Sequence, residues 1–286
     1  MNILITGATG FIGSHITEAL LKDGHEITVC VRDELAAVKR WAGVKTVQVD
    51  FVTDNQISNW SNRLESIDVV INAVGIIRET GNQTFSNLHT ATPVALFKAC
   101  EEKGVKRVIQ ISALGADEHA FVSYQQSKKI ADDVLRSLSL DWFVLRPSLI
   151  YGEEGTSTRF FNFLASFPLL PLIDSGKQLI QPVHVDDLVD VVLACLSSVN
   201  TQQTIDVVGP EFFTFAEWLQ RLRIKKGKGK LYIVPIPYML MKKMSHILKH
   251  IIPLLTQDNL KMLQQGNVAS SDGMNKLLGR KARDLP

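Results

Sequence analysis

The chain has 286 residues, of which 45% are hydrophobic and 21% are charged, and its formal net charge is +2 at pH 7. This is enough apolar sequence for one large domain, or for a domain with a smaller lobe, and the near-neutral charge argues against nucleic acid as the main partner. Cys30, Cys100 and Cys195 are far apart in apolar stretches, which argues against disulfides or a metal site and predicts a reducing, cytoplasmic location.

A strand, a glycine loop and a helix are predicted at the start of the chain. An apolar run over residues 2–6 is followed by three glycines at spacing 3 and then by a helical pattern over 13–22. In a dinucleotide-binding loop such glycines permit a tight turn, a close approach to the pyrophosphate and close packing of helix on strand. The alternative is a glycine turn that only packs. The expected cofactor contacts are Gly7, Thr9, Gly10, Phe11, Ile12 and Gly13. We expect no signal peptide, because the strand begins next to Met1.

Strand-like and helical patterns then alternate as far as residue 146. Further strands are predicted at 26–31, 45–49, 69–73, 107–112 and 142–146, and helices at 33–41, 54–64, 86–103 and 123–139. This alternation predicts a Rossmann-type α/β fold, a doubly wound parallel sheet with helices on both faces and ligands at the carboxyl ends of its strands. Residues 1–150 are assigned to this dinucleotide-binding core, completed by about 183–208.

The ends of the strands carry the residues expected to select the cofactor. Val31 stands where an NAD-binding fold carries an acid for the ribose 2′-hydroxyl, and Arg32 follows it. A guanidinium there can pair with a 2′-phosphate, which favours NADP(H) over NAD(H); a solvated surface arginine is the alternative. The other expected contacts are Asp50 and Phe51 flanking the adenine, the backbone of Ala73, Val74 and Gly75, Pro147 after the sixth strand, and Tyr124 and Lys128 on the helix after the fifth.

Tyr124 and Lys128 lie four residues apart and therefore on one face of the helix predicted at 123–139. A lysine ammonium beside a phenol stabilises the phenolate and lowers the phenol's pKa. Such a phenol can exchange a proton with a substrate oxygen while a nicotinamide moves a hydride, and the lysine can also hold the nicotinamide ribose. Two surface residues on a helix would give the same spacing, but the position just after the fifth strand favours a catalytic pair.

The pattern changes after residue 150, and 151–182 and 209–286 are assigned to a small C-terminal α/β substrate lobe without a core of its own. Residues 151–182 are rich in loops, a helix is predicted at 186–198 and a strand at 203–208, and Thr214 with Glu217 has the capping-box spacing that begins a helix to about residue 222. The histidine and acids at 184–187 lack a second His or Cys at metal-ligand spacing, so no metal is expected. Asp186 or Asp187 is instead expected to cap the helix.

An amphipathic helix is predicted near 238–252, before Pro253. Its basic residues, Lys242, Lys243, His246, Lys249 and His250, fall within an arc of about 120°. This face is either a solvated side of a helix lying on its own domain, or a contact for anionic lipid or a protein partner through Lys242, Lys243 and Lys249. The longest apolar run, 231–241, is too short to span a bilayer. A short helix over 256–265 and a loosely held end complete the prediction.

These motifs resemble the extended and atypical short-chain dehydrogenase/reductases, within the NAD-dependent epimerase/dehydratase superfamily, over about residues 1–215. The resemblance is carried by the three glycines, the Tyr124/Lys128 pair and Arg146-Pro147-Ser148. The segments most similar to the subgroup of the complex I nucleotide-binding accessory subunit and the NmrA-like proteins are 72–76, 88–89, 111–117, 183–187, 209–211 and 214–217.

The resemblance also implies a Ser or Thr at the end of the fifth strand, which polarises the reacting oxygen. That position falls on Ala113, so that Ser112 stands one residue early and on the other face of the strand; Ser112 is kept as the third catalytic candidate. His89 replaces the family's usual asparagine and is either a packing residue or a polar neighbour of the catalytic pair.

The sequence supports two alternative functions. The first is an NADP(H)-dependent oxidoreductase on an unidentified carbonyl or alcohol, favoured by Tyr124 and Lys128. The second is a non-catalytic nucleotide-binding structural, assembly or redox-sensor protein with a respiratory or membrane partner, on the inner face of a membrane. It is favoured by the displaced Ser112 and the amphipathic C-terminus. A nucleotide-sugar epimerase or dehydratase shares the fold but is less favoured, because no motif specifies a sugar-nucleotide pocket.

Overall fold

A computed structural model describes residues 1–248 and 256–286 of the chain. It divides into two compact units: unit 1 holds residues 1–146 and 188–205, and unit 2 holds residues 147–187 and 206–286. The predicted end of the amphipathic helix at residue 252 and the predicted contact through Lys249 lie outside the described residues. The assignment of the second unit to substrate stays a prediction.

The elements follow one another in the alternating order expected of the first half. The strands are β1 (Asn2–Thr6), β2 (Glu26–Val31), β3 (Lys45–Gln48), β4 (Val69–Asn72), β5 (Arg107–Ile111), β6 (Asp141–Pro147), β7 (Ile150–Tyr151), β8 (Leu169–Ile173), β9 (Leu179–Ile180), β10 (Val183–His184), β11 (Gln203–Val207), β12 (Phe213–Thr214) and β13 (Tyr232–Ile236). The α-helices are α1 (Phe11–Lys22), α2 (Glu34–Arg40), α3 (Ile57–Trp60), α4 (Thr92–Lys103), α5 (Ser123–Ser137), α6 (Thr156–Leu164), α7 (Val185–Ser197), α8 (Phe215–Lys225), α9 (Tyr238–Leu248), α10 (Gln257–Gln265) and α11 (Asp272–Leu278). A π-helix (Ser86–Ala91) precedes α4, and a short 3₁₀ turn (Asp174–Gly176) follows β8.

Unit 1 is built on a seven-stranded sheet in the order β11-β6-β5-β4-β1-β2-β3. The pairings from β6 to β3 are parallel, and β1, β4 and β5 are almost wholly buried, as strands covered on both faces should be. The order reverses between β1 and β4, which is where a doubly wound sheet opens its ligand crevice. The predicted Rossmann-type fold is confirmed.

The helix predicted at 54–64 is wrong, because only α3 is helical there. The indole of Trp60 is completely buried in the core and donates to the carbonyl of Asp54 at 2.9 Å. The carboxylate of Asp54 accepts from Arg63 at 2.8 Å. These contacts fold the segment into turns around Trp60 instead of a continuous helix.

Unit 2 has a hydrophobic core of its own, contrary to the sequence expectation. Leu170 and Leu172 of β8 pack in one cluster with Trp218, Leu219 and Leu222 of α8. The segment 151–182 is not mainly loop, since it contains α6, β8, β9 and the end of β7. β8 pairs in parallel with β13, and β9 pairs with β12; these partners come from distant parts of the chain.

The C-terminal end is held in place and is not loose as expected. The carboxylate of Asp187 is fully buried and accepts from the guanidinium groups of Arg280 and Arg283 at 2.8 and 2.7 Å, and from the Arg283 amide at 2.8 Å. Asp187 therefore anchors the end of the chain. Asp186 and Asp187 both lie inside the first turn of α7, so neither is its N-cap residue as predicted. The predicted capping box is confirmed: Thr214 and Glu217 exchange hydrogen bonds at the start of α8.

Candidate nucleotide and active site

The glycine loop of unit 1 fits a dinucleotide. Gly7 has φ +72°, and a Cβ on it would lie 2.7 Å from the backbone carbon of Ala73. A Cβ on Gly13 would lie 2.1 Å from the carbonyl oxygen of Gly7. α1 begins after Gly10, and among the described residues no side chain caps it. Its first N–H groups are therefore left for an anion such as a pyrophosphate.

A buried polar row, which the sequence analysis missed, ties together the strand ends beside this loop. The hydroxyl of Thr6 donates to the amide oxygen of Asn72 at 2.6 Å, and the Asn72 amide donates to Gln110 at 2.7 Å. The N–H of Ala73 donates to the Thr6 carbonyl at 3.1 Å. The row holds β1, β4 and β5 in register at the switch point. Its signal in the sequence is one polar residue near the end of each apolar strand.

The residues expected near the adenosine half lie at the ends of β2 and β3. Arg32 is exposed directly after β2, and in the described part of the chain no hydrogen bond or ion pair engages its side chain. Asp50 is exposed and accepts from the Val52 amide at 2.9 Å. The ring of Phe51 is buried and meets Trp60 edge-on at 5.8 Å, so it packs in the core instead of flanking an adenine.

Lys128 of α5 is bound at the carboxyl ends of β4 and β5. Its ammonium donates to the carbonyls of Val74 and Ile111 at 3.1 and 3.0 Å, and the residue is 3% exposed. Burial lowers the pKa of Lys128 to about 8, and the nearby carboxylate of Asp132 opposes this effect by raising the pKa. A Cβ on Gly75 would lie 3.3 Å from the ammonium nitrogen, so the loop after β4 passes directly over this charge.

Tyr124, one turn before Lys128, is half-buried with its ring against two other rings. It meets Phe85 at 5.9 Å and His89 at 5.4 Å, both edge-on. Burial raises the pKa of Tyr124 to about 12, and the charge of Asp132 adds to this effect. The lowered pKa expected from the spacing is therefore wrong for this structure, because the Lys128 ammonium is bound to backbone carbonyls while the phenol is desolvated.

Ser112 is not directed toward the phenol. Its hydroxyl donates to the carboxylate of Asp132, which is fully buried one turn after Lys128. Burial raises the pKa of Asp132 to about 6, and the Ser112 hydrogen bond and the charge of Lys128 oppose this effect by lowering the pKa. The sequence analysis missed Asp132; the signal is an acid that continues the i, i+4, i+8 row of Tyr124 and Lys128.

His89 is fully buried in the π-helix and joins the loop after β4 to α5. The N–H of Ile76 donates to its Nε2 at 3.0 Å, so the proton is assigned to Nδ1, which lies 3.0 Å from the hydroxyl of Ser127. Ser127 in turn donates to the carbonyl of Tyr124 at 2.9 Å. Burial and the charge of Lys128 lower the pKa of His89 to about 2, so the ring is neutral. This geometry matches the interpretation of His89 as a polar neighbour of the Tyr124/Lys128 pair.

Pro147 is the buried last residue of β6. Burial raises the pKa of the Cys30 and Cys195 thiols to about 12, so neither is a thiolate nucleophile. Over residues 1–248 and 256–286, no group of three His, Cys, Asp or Glu side chains is arranged to hold a metal.

A doubly wound sheet, a glycine loop at its switch point and a Tyr/Lys pair on the helix after β5 define an NAD(P)-binding protein of the extended short-chain dehydrogenase/reductase type. A family model described as NAD(P)H-binding matches residues 7–198. The chain belongs to this family.

Its relatives include a reductase and subunits of NADH dehydrogenase. The chain is 28% identical over 239 residues to the ceramide reductase of Caulobacter vibrioides, a match that covers 82% of this chain and 74% of that protein. It is 28% identical over 221 residues to NADH dehydrogenase (ubiquinone) 1 alpha subcomplex subunit 9 of Arabidopsis thaliana, covering 74% of this chain and 55% of that subunit. The chain thus spans about half the length of this second relative.

Solved structures agree on the fold. A nucleoside-diphosphate-sugar epimerase from Staphylococcus aureus matches with a TM-score of 0.79 at 18% identity, covering 99% of this chain and 98% of that one. The UDP-glucose 4-epimerase of Thermus thermophilus in complex with NAD matches with a TM-score of 0.65 at 23% identity, covering 83% of this chain and 86% of that one. They confirm the predicted fold.

Proposed function

We propose that this protein is an NADP(H)-dependent oxidoreductase acting on a carbonyl or alcohol substrate. The observation that carries the proposal is the position of Tyr124 one turn from Lys128, whose ammonium is bound at the strand ends where a doubly wound sheet takes its ligand. The glycine loop 7–13 would hold the pyrophosphate, and Ala73, Val74 and Gly75 would lie along the cofactor. The bound nicotinamide supplies or accepts the hydride.

Proton transfer is assigned to Tyr124. In the reducing direction its phenol donates a proton to the substrate oxygen, and the phenolate that is left takes a proton back from water. Lys128, one turn away, would hold the nicotinamide ribose. Because the Ser112 hydroxyl is bound to Asp132, we assign Ser112 to supporting α5 instead of polarising the substrate.

The test is turnover with Tyr124→Phe. A panel of ketones and aldehydes with NADPH should include long-chain ketones, since one relative is named a ceramide reductase. We expect wild type to turn over a member of the panel and Tyr124→Phe to lose at least 100-fold in kcat, the range of a lost general acid. The dissociation constant for NADPH should change far less than kcat in the variant.

The cofactor preference is assigned to Arg32. Its exposed guanidinium would meet the 2′-phosphate of NADPH, with no acid at Val31 to bind the hydroxyl of NADH. Arg32→Ala should weaken NADPH about tenfold, the equivalent of one charge-assisted hydrogen bond, and leave NADH unchanged. Arg40→Ala is the matched control, because Arg40 is a surface arginine paired with Glu18. Tighter binding of NADH than of NADPH by wild type would contradict the assignment.

A second candidate is a nucleotide-binding subunit or sensor without turnover. It is favoured by the Ser112 hydroxyl being bound to Asp132 and by the likeness to a respiratory subunit. In this role the protein would stay in the cytoplasm on the inner face of a membrane, with Lys242 and Lys243 of α9 toward lipid or a partner. None of the described helices has the length and apolar character needed to cross a bilayer. Tight NADPH binding with no turnover on the whole panel would decide for this candidate.

A further inference from the structure

Two segments of unit 2 form one continuous surface that the proposed reaction does not use. They are residues 159–173, from α6 through β8, and residues 223–236, from α8 through β13. β8 and β13 pair with Tyr232 opposite Leu169, and the N–H of Tyr232 donates to the carbonyl of Pro168 at 2.8 Å. The buried guanidinium of Arg223 binds three successive carbonyls, from Ala165 to Phe167, at 3.0 to 3.2 Å. These hydrogen bonds hold the two segments together, so the surface they form has a defined structure.

This surface exposes large apolar side chains to water. Phe163 is 54% exposed, Leu169 56% and Tyr232 60%. Phe163 and Phe167 meet edge-on at 5.0 Å, so the two exposed rings form one group. The other exposed apolar members are Val234, on the same side of β13 as Tyr232, and Ile224. A group of this kind marks a contact with a partner or a membrane.

Lysines surround the apolar group. The ammonium of Lys226 reaches the carbonyl of Asn162 at 3.0 Å, and that of Lys228 reaches Ser166 at 3.1 Å. The ammonium of Lys230 lies 6.0 Å from the centre of the Tyr232 ring. Neither segment contains a single Asp or Glu. We call this combination of Phe163, Phe167, Leu169, Tyr232 and the three lysines the lysine–aromatic face.

We propose that the lysine–aromatic face docks on a bilayer that contains anionic lipids. Aromatic rings beside lysines are the composition that binds at the headgroup boundary, where rings enter the apolar layer and ammonium groups stay with the phosphates. The absence of carboxylates from both segments matches a surface of uniformly negative charge better than a protein of mixed charge. The face consists of residues other than Lys242 and Lys243 of α9, and its proposed role does not depend on catalysis.

The test uses the full chain and sedimentation with vesicles. Vesicles of phosphatidylcholine alone should bind weakly, and vesicles with about 30% phosphatidylglycerol should bind strongly at low salt and lose binding at about 0.5 M NaCl. Each lysine near an anionic surface is worth about fivefold in affinity, so Lys226→Gln/Lys228→Gln/Lys230→Gln should lose about 100-fold. The matched control is Lys22→Gln/Lys39→Gln/Lys103→Gln, three exposed lysines of unit 1.

The aromatic part is tested separately. Phe163→Ser/Phe167→Ser should lose at least tenfold in vesicle binding, whereas Phe121→Ser, an exposed ring of unit 1, should lose none. Every variant should bind NADPH as wild type does, which shows that it is folded. The proposal would be overturned by equal binding to neutral and anionic vesicles, or by unchanged vesicle binding in either variant of the face. It would also be overturned if only Lys242→Gln/Lys243→Gln lost binding. Binding to an acidic protein without binding to any vesicle would overturn it as well.

Discussion

At the scale of single residues, the candidate site depends on buried polar groups that hold one another. His89 accepts from Ile76 and faces Ser127, and its pKa is depressed to about 2. A histidine in the unfolded chain has a pKa near 6.5. The unfolded state therefore takes up a proton below about pH 6.5 that the folded state does not, and stability is lost as the pH falls through this range.

This predicts a specific effect of His89→Phe, which keeps a ring against Phe85 and removes the titrating nitrogens. At pH 7.5 the variant should be less stable by about 1–3 kcal/mol, because the Ile76 N–H loses its acceptor. Lowering the pH to 5.0 should cost wild type about 2 kcal/mol more than it costs the variant. Urea unfolding at the two pH values measures this difference; an identical pH dependence in both proteins would show that His89 is protonated in the folded state.

Asp132 should set the upper pH limit of activity. The Lys128 pKa is about 8, and the Asp132 carboxylate holds it up against burial. The kcat/KM of wild type should therefore fall as the pH rises through about 8, when the ammonium loses its proton. In Asp132→Asn the same fall should begin at lower pH, because the supporting charge is gone. The pH profile of both proteins is the measurement, with Asp133→Asn as a control, because that carboxylate pairs with Lys129 and Arg136 and not with Lys128; an unshifted upper limb would remove Lys128 from this role.

The candidate site was predictable from the sequence where a residue's role depends on its neighbours in the chain. The glycine loop and the Tyr124/Lys128 pair have local spacing, and the structure places both at strand ends of unit 1. The pKa of Tyr124 and the orientations of Ser112 and Phe51 were not predictable. They depend on burial and on partners far along the chain, as the Ser112–Asp132 hydrogen bond illustrates.

At the scale of elements, the strands with a local sequence pattern were predictable, whereas the strands that depend on a distant partner were not. The strands before residue 146 were predicted almost to the residue, because most of them are nearly continuous apolar runs between turns. The short strands of unit 2 were missed, since β8 is recognisable only beside β13, about 60 residues later. Pro171 within β8 hides the strand further, because prolines are confined to unusual positions in sheets.

The packing of α1 on β1 gives a prediction for Gly13. A Cβ there would lie 2.1 Å from the Gly7 oxygen and 2.7 Å from the Gly7 carbon, both backbone atoms that cannot turn aside. Gly13→Ala should destabilise the protein by about 1–3 kcal/mol and weaken NADPH at least tenfold. The control is Gly273→Ala in α11, where a Cβ would meet nothing within 4 Å; it should be neutral or stabilise by up to about 1 kcal/mol. Equal unfolding midpoints for the two variants would contradict the close helix–strand packing.

At the scale of the whole molecule, each unit has its own core and its own chemistry. Unit 1 contains the glycine loop and the Tyr124/Lys128 pair, while unit 2 contains the lysine–aromatic face and a C-terminal segment fixed by Asp187. Variants of the anchor in unit 2 should therefore change stability without changing the affinity of the folded protein for the dinucleotide.

The anchor is tested with Arg280→Gln/Arg283→Gln. The Asp187 carboxylate is fully buried, whereas its two arginines are 37% and 41% exposed, so the variant leaves a buried charge without its main partners. Breaking a buried ion pair on one side costs about 3–5 kcal/mol, and the exposure of the arginines reduces this to about 2–3 kcal/mol. Adding Asp187→Asn should recover part of the loss, because the amide is neutral. Arg221→Gln, whose partner Glu211 is 3.8 Å away on the surface, should cost less than about 1 kcal/mol. Urea unfolding gives the free energies and NADPH titration the affinity; a fall in affinity with unchanged stability would place the anchor's role in cofactor binding instead.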